Sequence, residues 1–307
     1  MIKPLLLKLH RWTSLLFALP LLAIIASGLV LSFEPMIQVD GIVPQSLDAS
    51  RVLDLIKFHD PEGKARGLFI NSAAHRLTLQ GGSAAEIDLV TGELAAARPV
   101  LSNILLWARF THERLLGLPW LVTASTIAMI MIMTLGISMG LPRLHNSLSG
   151  WHKGAAWFTL PLIVLSPVTG LCMALGLTFQ TGSPPAARPL SLPEAVQLLA
   201  KSQDLASVIS IGSRGGRMMA RIYDGGELRA YAINSDGIVA LPRNWPRLIH
   251  EGNWAAMIAS PLNVVTSVVL LGLLSTGVLL WARRRFRRPG EAAKAAIGRS
   301  PALGSTA

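Results

Sequence analysis

A single cysteine, Cys172, is all the thiol chemistry that 307 residues carry. That count excludes an intrachain disulfide and a cysteine-built iron–sulfur or zinc site within the chain, and its place in an apolar run reads as packing. Charge is scarce as well. Only 15% of residues are charged, against about a quarter in a soluble domain. Acidic residues number 17 against 28 basic ones, for a net charge of +11. No acidic residue falls in the middle of an apolar run, which removes the usual coupling group of an ion-driven transporter. A G-x-G-x-x-G dinucleotide fingerprint is also missing, since Gly212-Ser213-Arg214-Gly215-Gly216 lacks that spacing.

What the chain has instead is apolar length. Apolar residues make up 51% of it and the mean hydropathy is +0.48. Runs at about residues 12–33, 119–141, 155–178 and 256–282 each reach or exceed the roughly 20 residues that cross a hydrocarbon core. The expectation is an integral membrane protein with four spans. Lys3, Lys8 and Arg11 precede the first run as in a secretion signal, but the stretch is too long and no small-x-small site follows, so it reads as a retained anchor. Basic residues cluster before span one, at Arg143 and Lys153 between spans two and three, and at Arg283, Arg284, Arg285, Arg287 and Arg288 after span four. The positive-inside rule then puts both termini in the cytoplasm of a bacterial inner membrane and the two long polar segments in the periplasm. Arg109, Arg114 and Arg247 oppose this but are fewer. Topology and contact with membrane lipid account for the basic surplus, leaving no case for nucleic acid.

The polar segments look duplicated. Residues 46–58 read as a short amphipathic helix, followed by strands at Leu68-Phe69-Ile70, Leu77-Thr78-Leu79 and Ile87-Asp88-Leu89. In the second segment Ser191 and Glu194 make a capping box with Pro193 in the first turn, and strands are expected around 206–211, 217–223 and 228–233, broken at Asp224-Gly225-Gly226 and Asp236-Gly237. Modules of about 60 residues have small cores, so these are expected to lean on each other or on the spans. The fold class expected is a membrane all-α four-helix bundle with two small α+β extracytoplasmic modules and an internal two-fold repeat. Its division is span one (1–34), first module (35–105), His-Glu segment and span two (106–142), cytoplasmic loop and span three (143–179), second module (180–247), His-Glu segment and span four (248–283), and a basic tail (284–307).

A histidine stands before each run: His10, His112, His152 and His250. His10 precedes Gly28, and His152 precedes Gly170, by eighteen residues each, which is about five turns, so histidine and glycine share a face at opposite depths. His112-Glu113 and His250-Glu251 introduce the other two. A lone interfacial histidine is ordinarily a headgroup or loop contact; four at matched positions near both ends of a bundle are what two bis-histidine haem sites require. One haem is expected between His10 and His152 at the cytoplasmic end and a second between His112 and His250 at the outer end, where Gly28 and Gly170 clear room. His145 lies seven residues, about two turns, before His152 and faces the same side if that stretch is helical, so it is a rival ligand or a propionate contact. His59 and His75 read as surface residues. Glu113 and Glu251 are placed to pair with Arg109, Arg114 or Arg247, or those arginines to hold haem propionates. The methionines of span two read as packing, the span prolines as kinks, and the boundary tryptophans as interfacial anchors.

Leu9-His10-Arg11-Trp12 with its Pro20-bearing run to Ser27-Gly28-Leu29, the echo from Trp151-His152 to Thr169-Gly170-Leu171, and the two intervening modules resemble the PepSY-associated transmembrane-helix proteins, over residues 1 to about 285. Within that family the chain is similar to iron-regulated inner-membrane reductases, four-span proteins that bind haem b through membrane histidines and act on ferric siderophores. The resemblance implies two haem b groups on His10, His112, His152 and His250, a ferric siderophore as substrate, and a cytoplasmic donor or a quinol as electron source. Having both His145 and His152 before span three departs from the family pattern and leaves two candidates for that ligand. A non-catalytic PepSY module that binds peptides or regulates a protease is the alternative; duplicated halves also suit a transporter, though both halves here begin on the same side.

Overall fold

The computed structural model describes residues 2–81, 86–95, 97–115, 117–142, 145–180 and 190–286. Arg143, Arg287 and Arg288, used above for orientation, fall outside these residues. Chain order is α1 (Ile2–Leu16), α2 (Ala18–Leu31), α3 (Glu34–Asp40), α4 (Ala49–His59), β1 (Gly67–Asn71), β2 (Arg76–Gln80), β3 (Glu86–Asp88), α5 (Val100–Arg114), α6 (Pro119–Ser138), α7 (Leu148–Phe158), α8 (Leu160–Ala174), α9 (Leu192–Ala200), β4 (Val208–Arg214), β5 (Arg217–Asp224), β6 (Glu227–Asn234), β7 (Gly237–Ala240), α10 (Trp245–Glu251) and α11 (Ala256–Arg285).

Three helical stretches, Ala18–Asp40, α6 and α11, are long and apolar enough to cross a membrane; α7 with α8 makes a fourth if the pair is taken as one span bent by 67°. The first and third apolar runs were expected as unbroken spans. Both are instead interrupted seven residues after a histidine, at Phe17 and Thr159. Proline explains it: Pro20 has no N–H for the Leu16 carbonyl and Pro161 none for that of Trp157. At the second break the Thr159 hydroxyl donates to the Ala155 carbonyl, 2.8 Å away.

Leu21 and Ile25 of α2, Met129 of α6, Ile163 of α8 and Leu270 of α11 form one apolar core between the spanning helices. Met131 points outward with other apolar side chains of the span surfaces, the pattern of helices solvated by lipid. The halves pack alike: α1 lies on α6 as α7 lies on α11, and α2 lies on α5 as α8 lies on α10. Across the halves, α2 meets α11 and α8 meets α6.

The polar segments hold all six expected strands, the expected helix as α4, and the Ser191–Glu194 capping box at the start of α9. They do not form two separate modules. Their strands make one antiparallel seven-stranded sheet in the order β3-β2-β1-β4-β5-β6-β7, joined where Gly67, Leu68 and Phe69 pair with Gly212, Ile211 and Ser210. Each segment alone would leave an unpaired edge and a thin core; joining them removes both. A Cβ on Gly67 would lie 2.7 Å from the Ile211 carbonyl oxygen, so the seam needs a glycine there. One face of the sheet is covered by α4 and α9 around Leu68, Leu77, Ile211, Ile222 and Ile233. On the other face Ile209, Tyr223 and Leu228 pack on Ala256 of α11, with Val39 and Ile42 beside them, so this face meets the helices. β7 forms the far edge, a strand that its Gly237-Ile238-Val239-Ala240 stretch did not announce.

Ile222 is fully buried in the shared core. Ile222→Ala is expected to cost the sheet about 2–5 kcal/mol, read as a lower denaturation midpoint in detergent. Val239→Ala, on a half-exposed residue of β7, is expected to stay within about 0.5 kcal/mol.

Candidate functional site

Each of the four run-heading histidines is seated against a glycine of a neighbouring helix. A Cβ on Gly28 would lie 3.0 Å from Cε1 of His112, and one on Gly170 2.9 Å from Cε1 of His250. At the end of the helices away from the sheet, Gly136 stands opposite His10 and Gly277 opposite His152, both at 3.7 Å by the same measure. Gly28 and Gly170 were expected to make room for a macrocycle; what they accommodate is the imidazole itself. His10 and Gly28 face different neighbours, α6 and α5, and the helix is interrupted between them at Phe17.

The hydrogen bonds repeat with the same regularity. His112 Nδ1–H donates to the Ile24 carbonyl at 2.9 Å and His250 Nδ1–H to the Ser166 carbonyl at 3.0 Å. Both acceptors sit four residues before the facing glycine. Ser27 and Thr169, one residue before it, approach the same Nδ1 atoms at 3.4 and 3.2 Å. His10 Nδ1–H donates to the Ile132 carbonyl, four before Gly136, at 2.9 Å. His152 Nδ1–H donates to the Thr276 hydroxyl at 2.8 Å, whose own proton goes to the Gly272 carbonyl at 2.7 Å. A carbonyl can only accept, so the tautomer follows: Nδ1 carries the proton and Nε2 keeps its lone pair. This is the arrangement in which an imidazole is held ready to ligate a metal.

At the sheet end the rings of His112 and His250 have centroids 5.9 Å apart and planes inclined by 42°. A metal–imidazole nitrogen bond is about 2 Å and the bonded nitrogen lies about 1 Å from its ring centre, so two imidazoles on opposite sides of one metal ion have centres about 6 Å apart. Burial first, and then the charge of His250, lowers His112 to about 4, and burial lowers His250 too. Both lie in helices outside the spans and are neutral at physiological pH. At the other end His10 of α1 and His152 of α7 stand on helices that both pack against α11. His145 lies exposed ahead of α7, outside the helix that carries His152.

Among the described residues no three His, Cys, Asp or Glu side chains converge on one point. The imidazoles therefore come as pairs rather than as a full cage for a bare ion, and a macrocycle that brings four nitrogens of its own needs only a pair. The glycine seats and the freed Nε2 atoms fit that group. Around the sheet-end pair, Arg109 is engaged by Glu34 and by Glu113 at 3.5 Å, and Arg247 by Glu251 at 3.6 Å.

Sequence reasoning missed Gly136, Gly277 and the acceptors Ile132 and Thr276. A signal existed: Thr134-Leu135-Gly136 and Ser275-Thr276-Gly277 place a glycine behind a hydroxyl residue late in spans two and four. On the sheet face turned from the spanning helices, a cleft of about 660 Å³ opens between α4 and α9 among Leu53, Lys57, Arg66, Leu192, Gln197 and Met218.

The family model described as the PepSY-associated TM region matches residues 7–284. No curated protein matches the chain.

Proposed function

The chain belongs to the PepSY-associated transmembrane family, and from that premise we propose that this membrane protein is a haem b-binding reductase that passes electrons across the bacterial inner membrane to a ferric siderophore in the periplasm. The observation that carries the reading is the His112–His250 pair: ring centres 5.9 Å apart, each Nδ1–H tied to a carbonyl, each Nε2 free. Haem b held there, and a second held by His10 and His152, supplies reversible one-electron iron chemistry. The residues do the rest. Gly28 and Gly170 let the imidazoles into the bundle, the Ile24 and Ser166 carbonyls fix their tautomer and strengthen them as ligands, and the two pairs stand at opposite ends of the spans.

The electron balance is simple. A quinol would give up two electrons and two protons, becoming quinone and reducing two ferric chelates in turn, or a cytoplasmic reductant would supply the electrons singly; in each chelate Fe³⁺ becomes Fe²⁺. Siderophore oxygens are hard donors that favour the more highly charged ion, so reduction loosens the iron. The basic residues flanking the spans favour cytoplasmic termini and a periplasmic sheet, on which the chelate would dock.

A second reading rests on the cleft over the sheet, whose size lies in the range of ligand sites, about 300–1,000 Å³: a module that binds peptides or regulates a protease without redox chemistry. Absorption spectra of the purified protein, oxidised and dithionite-reduced, with a pyridine haemochrome assay, decide between them. Two low-spin b haems per chain and oxidation of the reduced protein by a ferric siderophore are expected. A colourless protein that takes up no added haem overturns the reductase in favour of the peptide module.

A further inference from the structure

The duplicated halves differ where the helices meet the sheet. In the second half α10 ends at Glu251, Gly252 turns the chain with φ +76°, and the residues that follow run onto the sheet. Leu228 N–H donates to the Asn253 carbonyl at 2.9 Å, and Ala256 N–H to the Gly226 carbonyl at 3.0 Å. The Tyr223 hydroxyl donates to Asn253 Oδ1 at 2.9 Å, in a buried position. Asn253 Nδ2 donates in turn to Glu251 Oε2 at 2.9 Å, and the same oxygen receives Arg221 at 3.4 Å. Asn263 of α11 donates to the carbonyl of His250 itself at 3.0 Å. Among the described residues His112 has no such tie to a strand; its helix is held by the ion pair of Arg109 with Glu34 of α3. Glu113 is more than half exposed and pairs with Arg109 of its own helix, and among the described residues from Glu113 to Leu118 none is hydrogen-bonded to a strand.

We infer that Tyr223, Arg221 and Asn253 are positioning residues for His250, so that the sheet sets the orientation of one imidazole of the sheet-end pair while helix contacts alone set the other. The inference rests on the haem reading above. The imidazole–metal bond is directional, and a partner that fixes a ligating histidine tunes the metal it binds. β5 is the link: Met218 near its start lines the cleft on one face, and Arg221 and Tyr223 reach the helices from the other. A ligand in the cleft that moved β5 would thereby act on His250 and not on His112.

Tyr223→Phe is the cleanest test, because it removes one hydrogen bond and changes no charge. In the full-length protein it is expected to shift the oxidised-to-reduced ratio of the sheet-end haem about tenfold at fixed potential, which is about 59 mV for one electron. The low-spin EPR signal of that site should move with it, since that signal reports the angle between ligand planes. The other haem should be unchanged and the content should stay at two per chain. Arg221→Gln is expected to shift the same site, and Glu113→Gln in the first half to change neither haem by more than twofold. Tyr223→Phe with wild-type potentials and EPR, or Glu113→Gln with an equal effect, overturns the inference and leaves the haem reading standing. A wild-type protein without haem overturns both.

Discussion

His250→Ala is expected to yield a protein with one low-spin haem in place of two. The alanine leaves His112 as a single imidazole facing open space, and because the two rings share one site at 5.9 Å, His112→Ala should remove the same signal. The haemochrome value should fall by half in either variant, while the pair at the other end keeps its spectrum. His10→Ala and His152→Ala should remove the complementary signal, and the double variant His112→Ala/His250→Ala should lose no more than either single change. Retention of two haems by His250→Ala would mean that the sheet-end pair ligates nothing. His145→Ala separates the two candidates ahead of the third span: exposed and outside α7, His145 is expected to be dispensable for both signals.

Much of this arrangement was legible in the sequence because it is written locally. Period and turn chemistry announced α4, six strands and the Ser191–Glu194 capping box, and hydropathy announced the spans. The histidines stood out because their matched positions are a property of sequence spacing. What depended on distant pairing was hidden. β1 meets β4 across about 140 residues, and nothing in either strand says that its partner lies in the other segment; only the cost of a thin core and an open edge hints at it. Gly136 likewise faces a histidine 126 residues away. The eighteen-residue spacing from His10 to Gly28 suggested a face of one helix, whereas each glycine serves the histidine of a neighbouring helix. Repetition was the reliable signal, and the continuity of a long apolar helix was the unreliable one, because Pro20 and Pro161 interrupt it.

The glycine seats yield a graded result that separates a ligand site from ordinary helix packing. Gly170→Ala places a Cβ 2.9 Å from an imidazole carbon, closer than real side chains approach, so His250 must shift; Gly28→Ala places one at 3.0 Å, tighter than most contacts, so His112 must give by a few tenths of an ångström. At Gly136 and Gly277 the same methyl group meets His10 and His152 at 3.7 Å, which is normal contact. In a helix interior, glycine to alanine by itself favours the helix by about 1 kcal/mol. A loss on substitution therefore cannot come from a weakened helix and has to come from the displaced imidazole. Haem affinity at the sheet end is expected to fall about 10–100-fold in Gly28→Ala and Gly170→Ala, the range seen when support for a metal ligand is disturbed, and to change less than twofold in Gly136→Ala and Gly277→Ala. Titration of haem into depleted protein measures all four. If the methyl groups at Gly136 and Gly277 weaken binding as much as those at Gly28 and Gly170, the glycines matter for helix approach in general, and the tight seat against His112 and His250 has no special bearing on the cofactor.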